Sequence, residues 1–104
     1  MLPRSRFAVA GRTVFITGAA RGIGAETARR LHAAGANVAL VGLEPDRLAL
    51  LAERLGTRRA AWFEADVTDY DAVRTAVEGT IARFGRIDVA IANAGIQFMG
   101  RMAT

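Results

Sequence analysis

The chain has 104 residues and a mass of 11.1 kDa, is 52% hydrophobic and 23% charged, and has a mean hydropathy of +0.22. These values fit a single folded domain over residues 1–104 and exclude intrinsic disorder, and the absence of Cys excludes a disulfide scaffold, thiolate metal sites and a Cys nucleophile. Every one of the 14 basic residues is Arg, against 10 acidic residues, for a net charge of +4; without Lys there is no Schiff-base chemistry.

In chain order, the first ten residues (MLPRSRFAVA) are basic but lack the apolar core and cleavage site of a secretory leader. No apolar run approaches the roughly 18 residues of a spanning helix. The expectation is a cytoplasmic protein with no membrane partner. Thr13 to Ile16 reads as a first strand, and Gly18 to Gly24 as a Gly-rich turn. A helix is predicted from Gly22 to Ala34, with Ile23, Thr27 and Leu31 on one face and Gly35 as its C-terminal cap. Asn37 to Val41 is a continuous apolar strand, as a strand covered on both faces requires. Pro45 opens a second helix whose buried stripe is Leu48, Leu51, Ala52 and Leu55, ending before Gly56. Ala60 to Ala65 is a third strand, with Trp62 and Phe63 expected in the core. Thr68 and Asp71 suggest a capping box for a third helix carrying Val73, Val77, Ile81 and Phe84 at helical spacing. Ile87 to Ala92 is a fourth strand.

Strands alternating with helices imply parallel pairing through right-handed crossovers. The expected fold is therefore α/β, a Rossmann-type doubly wound parallel sheet in three α/β/α layers with strand order 3-2-1-4. Ligands of such sheets sit beyond the carboxyl ends of the strands.

Four strand ends carry candidate residues. At the first, Gly18 permits a tight turn, Ala20 and Arg21 follow, and Gly22 lets a pyrophosphate approach bare backbone. Gly24 allows close helix packing, and the helix start presents N–H groups and a positive dipole end to an anion. At the second, Gly42, Leu43 and Glu44 follow the strand. Glu44 lies 20 residues past Gly24, where a carboxylate accepts from an adenosine ribose hydroxyl. It could equally be a charge favouring the following helix dipole, while Arg21 could meet a 2′-phosphate or lie exposed. At the third, Asp66 could accept from an exocyclic amine with Val67 backbone beside it, or could cap its own turn. At the fourth, Asn93, Ala94 and Gly95 admit a planar ligand near the backbone, or Asn93 forms a turn.

Other residues carry less. His32 is read as solvent-facing or helix-capping, and a lone His without Cys cannot anchor a zinc site, so no metal is expected. Ser5 has no base beside it. Met99 and Met102 are gap-fillers, and Gln97, Phe98 and Met99 start a loop near the fourth strand end. The arginines are scattered and aromatics are sparse, so no base-stacking nucleic-acid surface is expected.

TGAARGIG after a strand, DV after the third strand and NAG after the fourth together resemble the classical short-chain dehydrogenase/reductase family, from about Ala10 to Gly95. The resemblance implies an NAD(P)-dependent oxidoreductase, with NAD or NADP as cofactor and a small-molecule carbonyl or alcohol as substrate. It implies that Gly18, Arg21, Gly22, Ile23 and Gly24 line the dinucleotide phosphates, and that Asp66 and Val67 hold adenine. Asn93, Ala94 and Gly95 would flank the ribose and nicotinamide side. NAD-preferring members usually carry Asp at the position of Gly42, and NADP-preferring members often Arg at that of Leu43. This chain has neither, and Ala92-Asn93 replaces a doubled Asn. The family's catalytic Ser and Tyr-x-x-x-Lys follow a fifth strand, so no catalytic residue is expected within 1–104. Tyr70 with Arg74 lies in the wrong place, and Arg cannot shift its pKa to act as that Lys. The chain is thus expected to be the amino-terminal part of a longer protein, a homo-oligomer at full length. Two other readings compete: a non-catalytic dinucleotide-binding module, and an S-adenosylmethionine-dependent methyltransferase, whose ligand lacks the pyrophosphate that the Gly18-to-Gly22 loop suits.

Overall fold

A computed structural model describes residues 9–93. Strands β1 (Thr13–Thr17), β2 (Asn37–Gly42), β3 (Ala60–Glu64) and β4 (Val89–Ala92) alternate with helices α1 (Gly22–Ala33), α2 (Pro45–Leu55) and α3 (Tyr70–Phe84). All pairings are parallel and the order is β3-β2-β1-β4, the expected doubly wound arrangement. Registers such as Val14 with Val38, Phe15 with Ala90 and Leu40 with Trp62 bring the carboxyl ends of the strands together at one end of the sheet.

Period-two alternation divides the core. Val14, Ile16, Val38 and Leu40 face α1 and α2, where they pack with Ala25, Ala28, Leu48, Leu51 and Ala52. Phe15, Ala39 and Val41 face the other way, toward Ala76 and Val77 of α3. With helices on both faces, the two central strands are buried along their length, apart from Asn37 at the β2 entrance. That is why both read as unbroken apolar runs.

Several local expectations are corrected. The buried face of α1 is Gly24, Ala25 and Ala28, with Leu31 partly buried; Ile23 is 77% exposed. Periodicity counts large apolar side chains, whereas this helix lies so close to the sheet that small residues form its contact face. Trp62 is 39% exposed because β3 is an edge strand. Phe63 is better covered: its ring lies against Gly79, where a Cβ would stand 2.5 Å from Cε1. The third helix is capped by Asp69, which accepts from the Ala72 N–H at 3.2 Å, and no Thr68–Asp71 capping box forms. Thr68 is engaged elsewhere, by Asp66. The fourth strand begins at Val89 rather than Ile87, because Asp88 pairs with Thr13 through its side chain as well as its backbone. On α3, Ala76 and Thr80 are buried, while Ile81 of the expected stripe is 47% exposed.

No helix among the described residues is long and apolar enough to cross a membrane.

Candidate functional site

An open cavity of about 340 Å³ lies at the carboxyl ends of β1, β2 and β3. It is lined by Gly18, Ala20, Arg21, Gly42, Leu43, Glu44, Ala65, Asp66 and Val67, and its size suits a small-molecule ligand. Eight of the residues named at the strand ends in the sequence are therefore brought together by the sheet. Gly42 is the last residue of β2, and the ninth lining residue, Ala65, is one that the sequence did not distinguish from its strand.

The β1–α1 loop forms the first wall. Gly18 and Gly22 take left-handed backbone conformations, φ +63° and +56°, which side chains rarely adopt. The Ala19 N–H donates to the Val41 carbonyl at 3.1 Å and ties the loop to β2. Gly24 sets how closely the helix approaches. A Cβ there would stand 2.0 Å from the Gly18 carbonyl oxygen and 2.7 Å from Asn93 Nδ2. The helix thus packs on the loop and on the end of β4, and this contact also fixes Asn93 beside the helix start. Ala94 and Gly95 lie outside the described residues, as do Ser5, Gln97, Phe98, Met99 and Met102.

The start of α1 is left open by its own sequence. Arg21 occupies the N-cap position but makes no side-chain cap, and the first turn holds no acidic residue. By contrast, α2 has Pro45 and Asp46 in its first turn, and α3 has the Asp69 cap and Asp71. The first N–H groups of α1 and the positive end of its dipole therefore have neither a side-chain cap nor a first-turn carboxylate, next to Arg21 in the cavity wall, a fit for an external anion such as a phosphate.

The second wall carries an ion pair that the sequence left unassigned. Arg21 Nε donates to Glu44 Oε1 at 2.6 Å, and Arg21 Nη2 donates to Glu44 Oε2. Arg47 Nε approaches the same Oε2 at 3.4 Å. Arg21 and Glu44 thus bind each other rather than standing free. The hydrogen bond from Arg21 holds the Glu44 carboxyl below the usual carboxylate range, and the same bond raises Arg21. Arg47 was missed in the sequence, although its i,i+3 spacing from Glu44 is the signal that finds it.

The third wall is Asp66. Its Oδ1 accepts from the Thr68 hydroxyl at 2.7 Å and from the Thr68 N–H at 2.9 Å. These bonds, the hydroxyl first, hold its carboxyl below the ordinary range and keep it ionised. The turn-capping role and a place in the cavity wall therefore coexist: Oδ1 serves the turn, and the carboxylate still lines the cavity. Tyr70 and His32 are not lining residues. Tyr70 is 77% exposed at the start of α3, and Arg74 pairs with Asp71. His32 is half-buried, and that burial, followed by the nearby Arg59 charge, lowers its pKa.

A parallel sheet in this order, with a glycine loop opening an uncapped helix beside a cavity at the strand ends, defines a nucleotide-binding Rossmann-type domain. Comparison with known proteins gives the family. The model of the short chain dehydrogenase family matches residues 12–104, and the chain belongs to that family. It is 36% identical over 86 residues to secoisolariciresinol dehydrogenase of Forsythia intermedia, covering 83% of this chain and 31% of that protein. It is 42% identical over 96 residues to trans-4-hydroxycyclohexanecarboxylate dehydrogenase of Sinomonas cyclohexanicum, covering 85% and 37%. Among solved structures, a short-chain dehydrogenase/reductase from Brucella melitensis superimposes with a TM-score of 0.75 at 37% identity, covering 79% of this chain and 34% of that one. The C-domain of a bacterial malonyl-CoA reductase, determined with NADP, gives a TM-score of 0.76 at 30% identity over 82% of this chain and 15% of that one. The chain spans about a third of the length of the curated relatives it matches.

Proposed function

We propose that these residues form the dinucleotide-binding part of an NAD(P)-dependent oxidoreductase, which passes hydride between nicotinamide and a carbonyl or alcohol carbon of a small molecule. The observation that carries this reading is the uncapped start of α1 opening beside the strand-end cavity. In this arrangement Gly18, Ala20, Gly22, Ile23 and Gly24 hold the pyrophosphate against backbone N–H groups. Asp66 accepts from the adenine amine, with the Val67 backbone beside the ring, and Leu43 covers the adenosine. Asn93, beside the start of α1, lies on the side of the second ribose and nicotinamide. The cofactor supplies the hydride chemistry; these residues bind it, neutralise its charge and orient it.

On this reading the proton-transferring Ser, Tyr and Lys belong to sequence outside these 104 residues, in keeping with the length of the relatives. The reading extends to a cytoplasmic, homo-oligomeric protein with no nucleic-acid partner. The family match favours it over a methyltransferase, whose cofactor has no pyrophosphate for the helix start to hold.

The test is a fluorescence titration of the protein as its gene encodes it with NADH and NADPH, with S-adenosylmethionine as competitor. Saturable binding of at least one dinucleotide, undisturbed by S-adenosylmethionine, is expected, and hydride transfer should follow with some member of an alcohol and ketone panel. Failure to bind either dinucleotide overturns the proposal. Binding without turnover across the panel would leave a purely nucleotide-binding module instead.

A further inference from the structure

We propose that the strand-start end of the sheet docks on an anionic lipid surface, through arginines that the fold gathers from positions scattered along the chain. The proposal is independent of what the cavity at the opposite end binds. It departs from the expectation of no membrane partner, and a peripheral contact of this kind needs no spanning helix.

The connections that enter the four strands, residues 9–12, 34–36, 56–59 and 85–88, carry Arg12, Arg58, Arg59 and Arg86 against one carboxylate, Asp88. The Arg12 and Arg86 side chains are 51% and 58% exposed and that of Asp88 only 11%, so solvent at this end meets guanidinium rather than carboxylate. The last turns of α2 and α3 add Arg54 and Arg83, with Glu53 as the other acid there. The opposite end has the reverse sign: Glu44, Asp46, Asp66, Asp69 and Asp71 stand against Arg21 and Arg47. The rise of a five-residue strand, roughly 17 Å, separates the two ends, which exceeds the Debye length at physiological salt. A charged surface meeting the basic end therefore feels little of the acidic one.

Part of this charge has a structural explanation. Cations suit helix C-termini, and Arg59 and Arg83 donate to backbone carbonyls. A hydrogen bond to a carbonyl directs a guanidinium without neutralising it, and each guanidinium keeps further donors. Arg54 and Arg58 are not explained in this way. Both are exposed, and neither side chain makes a hydrogen bond or ion pair among the described residues.

A planar guanidinium fork suits phosphodiesters of any source. What favours lipid is the sequence that joins this end. The Gly11 N–H donates to the Gly35 carbonyl at 3.0 Å, which places the entry to β1 beside the entry to β2. The residues before Val9, MLPRSRFA, set Arg4 and Arg6 among Leu2 and Phe7. A headgroup boundary takes up basic and apolar side chains together. A nucleic-acid backbone takes up the charge alone, and the sparse aromatics offer its bases no stacking platform.

The experiment is co-sedimentation of the protein as its gene encodes it with vesicles of phosphatidylcholine alone and of phosphatidylcholine with about one-third phosphatidylglycerol. Binding to the anionic vesicles alone is expected, and it should fall steeply as NaCl is raised. Arg54→Gln combined with Arg58→Gln should weaken it by about thirtyfold, at about fivefold for each arginine near an anionic surface. The urea midpoint of that variant should stay unchanged, since neither side chain holds the fold. Arg47→Gln combined with Arg74→Gln removes the same charge near the starts of α2 and α3, and vesicle binding should then stay within about twofold. Absence of binding to anionic vesicles, equal binding to neutral ones, or equal losses in the two double variants overturns the proposal. Tighter binding to duplex DNA than to anionic vesicles at equal phosphate concentration also overturns it, and would make this end a nucleic-acid surface.

Discussion

Where the strands begin, charged side chains close onto backbone; where they end, backbone is left open. At the first end, Asp88 accepts from the Thr13 N–H at 2.8 Å, while its own N–H donates to the Thr13 carbonyl at 2.9 Å. Arg59 Nη1 donates to the carbonyls of His32 at 3.0 Å and Ala36 at 2.7 Å, and Arg83 Nη2 donates to the carbonyls of Thr57 and Arg58. At the other end, α1 starts without a cap, two glycines hold left-handed turns, and the charged groups of the rim bind each other in solvent. Both ends belong to the same four strands. The difference teaches that stability is concentrated at one end of the sheet and recognition at the other, because a backbone donor already satisfied internally has nothing to offer a ligand.

The largest expected effect breaks the open end. Gly24→Ala forces a methyl group toward the Gly18 carbonyl, and backbone cannot step aside as a flexible side chain would. Overpacking of this kind displaces α1 from the loop, and dinucleotide binding should weaken by about a hundredfold, equivalent to roughly 3 kcal/mol. A Kd within about threefold of the unaltered protein would show that the close approach of α1 is not what shapes the site. Next is the closed end. Arg59→Met leaves two carbonyls without their charged donor and should lower unfolding free energy by about 2 kcal/mol in a urea titration. Dinucleotide Kd should stay within about twofold, so a large change there would collapse the contrast between the ends.

How legible was each end in the sequence? The order of elements and the strand order followed from alternating periods and Gly punctuation, and the cavity residues of the first three strands fell at the predicted strand ends. What periodicity could not give was contact between distant side chains. Arg21 and Glu44 are 23 residues apart, and each had a separate candidate role; only the sheet sets them side by side. Arg59 carried no local signal at all, since its partners are backbone groups remote in sequence, and the Thr13 backbone that Asp88 meets is equally remote. The small buried face of α1 was misread for a related reason. Large side chains mark where area can be buried, but Gly24, Ala25 and Ala28 mark where two elements come closest. Thr68 was misassigned because two acceptors compete for it, and the nearer Asp66 wins.

A smaller effect sharpens the comparison within the open end itself. Asp69→Ala removes the side-chain cap of α3, and loss of such a cap costs about 1 kcal/mol. Because α3 is capped internally and α1 is not, the loss should appear in the urea midpoint and leave dinucleotide Kd unchanged. A substantial loss of binding in this variant would mean that α3, too, takes part in recognition.

The smallest effect is the pH dependence of the Asp88 clasp. The Arg86 side chain first, and the Thr13 N–H next, hold the Asp88 carboxyl below its ordinary value of 3.8, with Arg12 Nη1 also 3.6 Å away. A carboxyl whose pKa is depressed by folding binds its proton more readily when unfolded. Its contribution to stability is therefore complete above the unfolded value and fades as pH falls through the lower folded one. Glu26, Glu44 and Asp66 are depressed in the same direction, so acid unfolding of the unaltered protein cannot isolate Asp88. Comparison with Asp88→Asn can. At neutral pH that variant should melt several degrees lower, having lost the charge that holds Arg86 and Arg12 beside β1. The gap should narrow below pH 3.8, because the unaltered Asp88 then approaches the uncharged state of the amide. A gap that stays constant across this range would assign the clasp's strength to the hydrogen bond with Thr13 alone, and the arginines gathered at the closed end would be solvated charges rather than part of what holds β1 to β4.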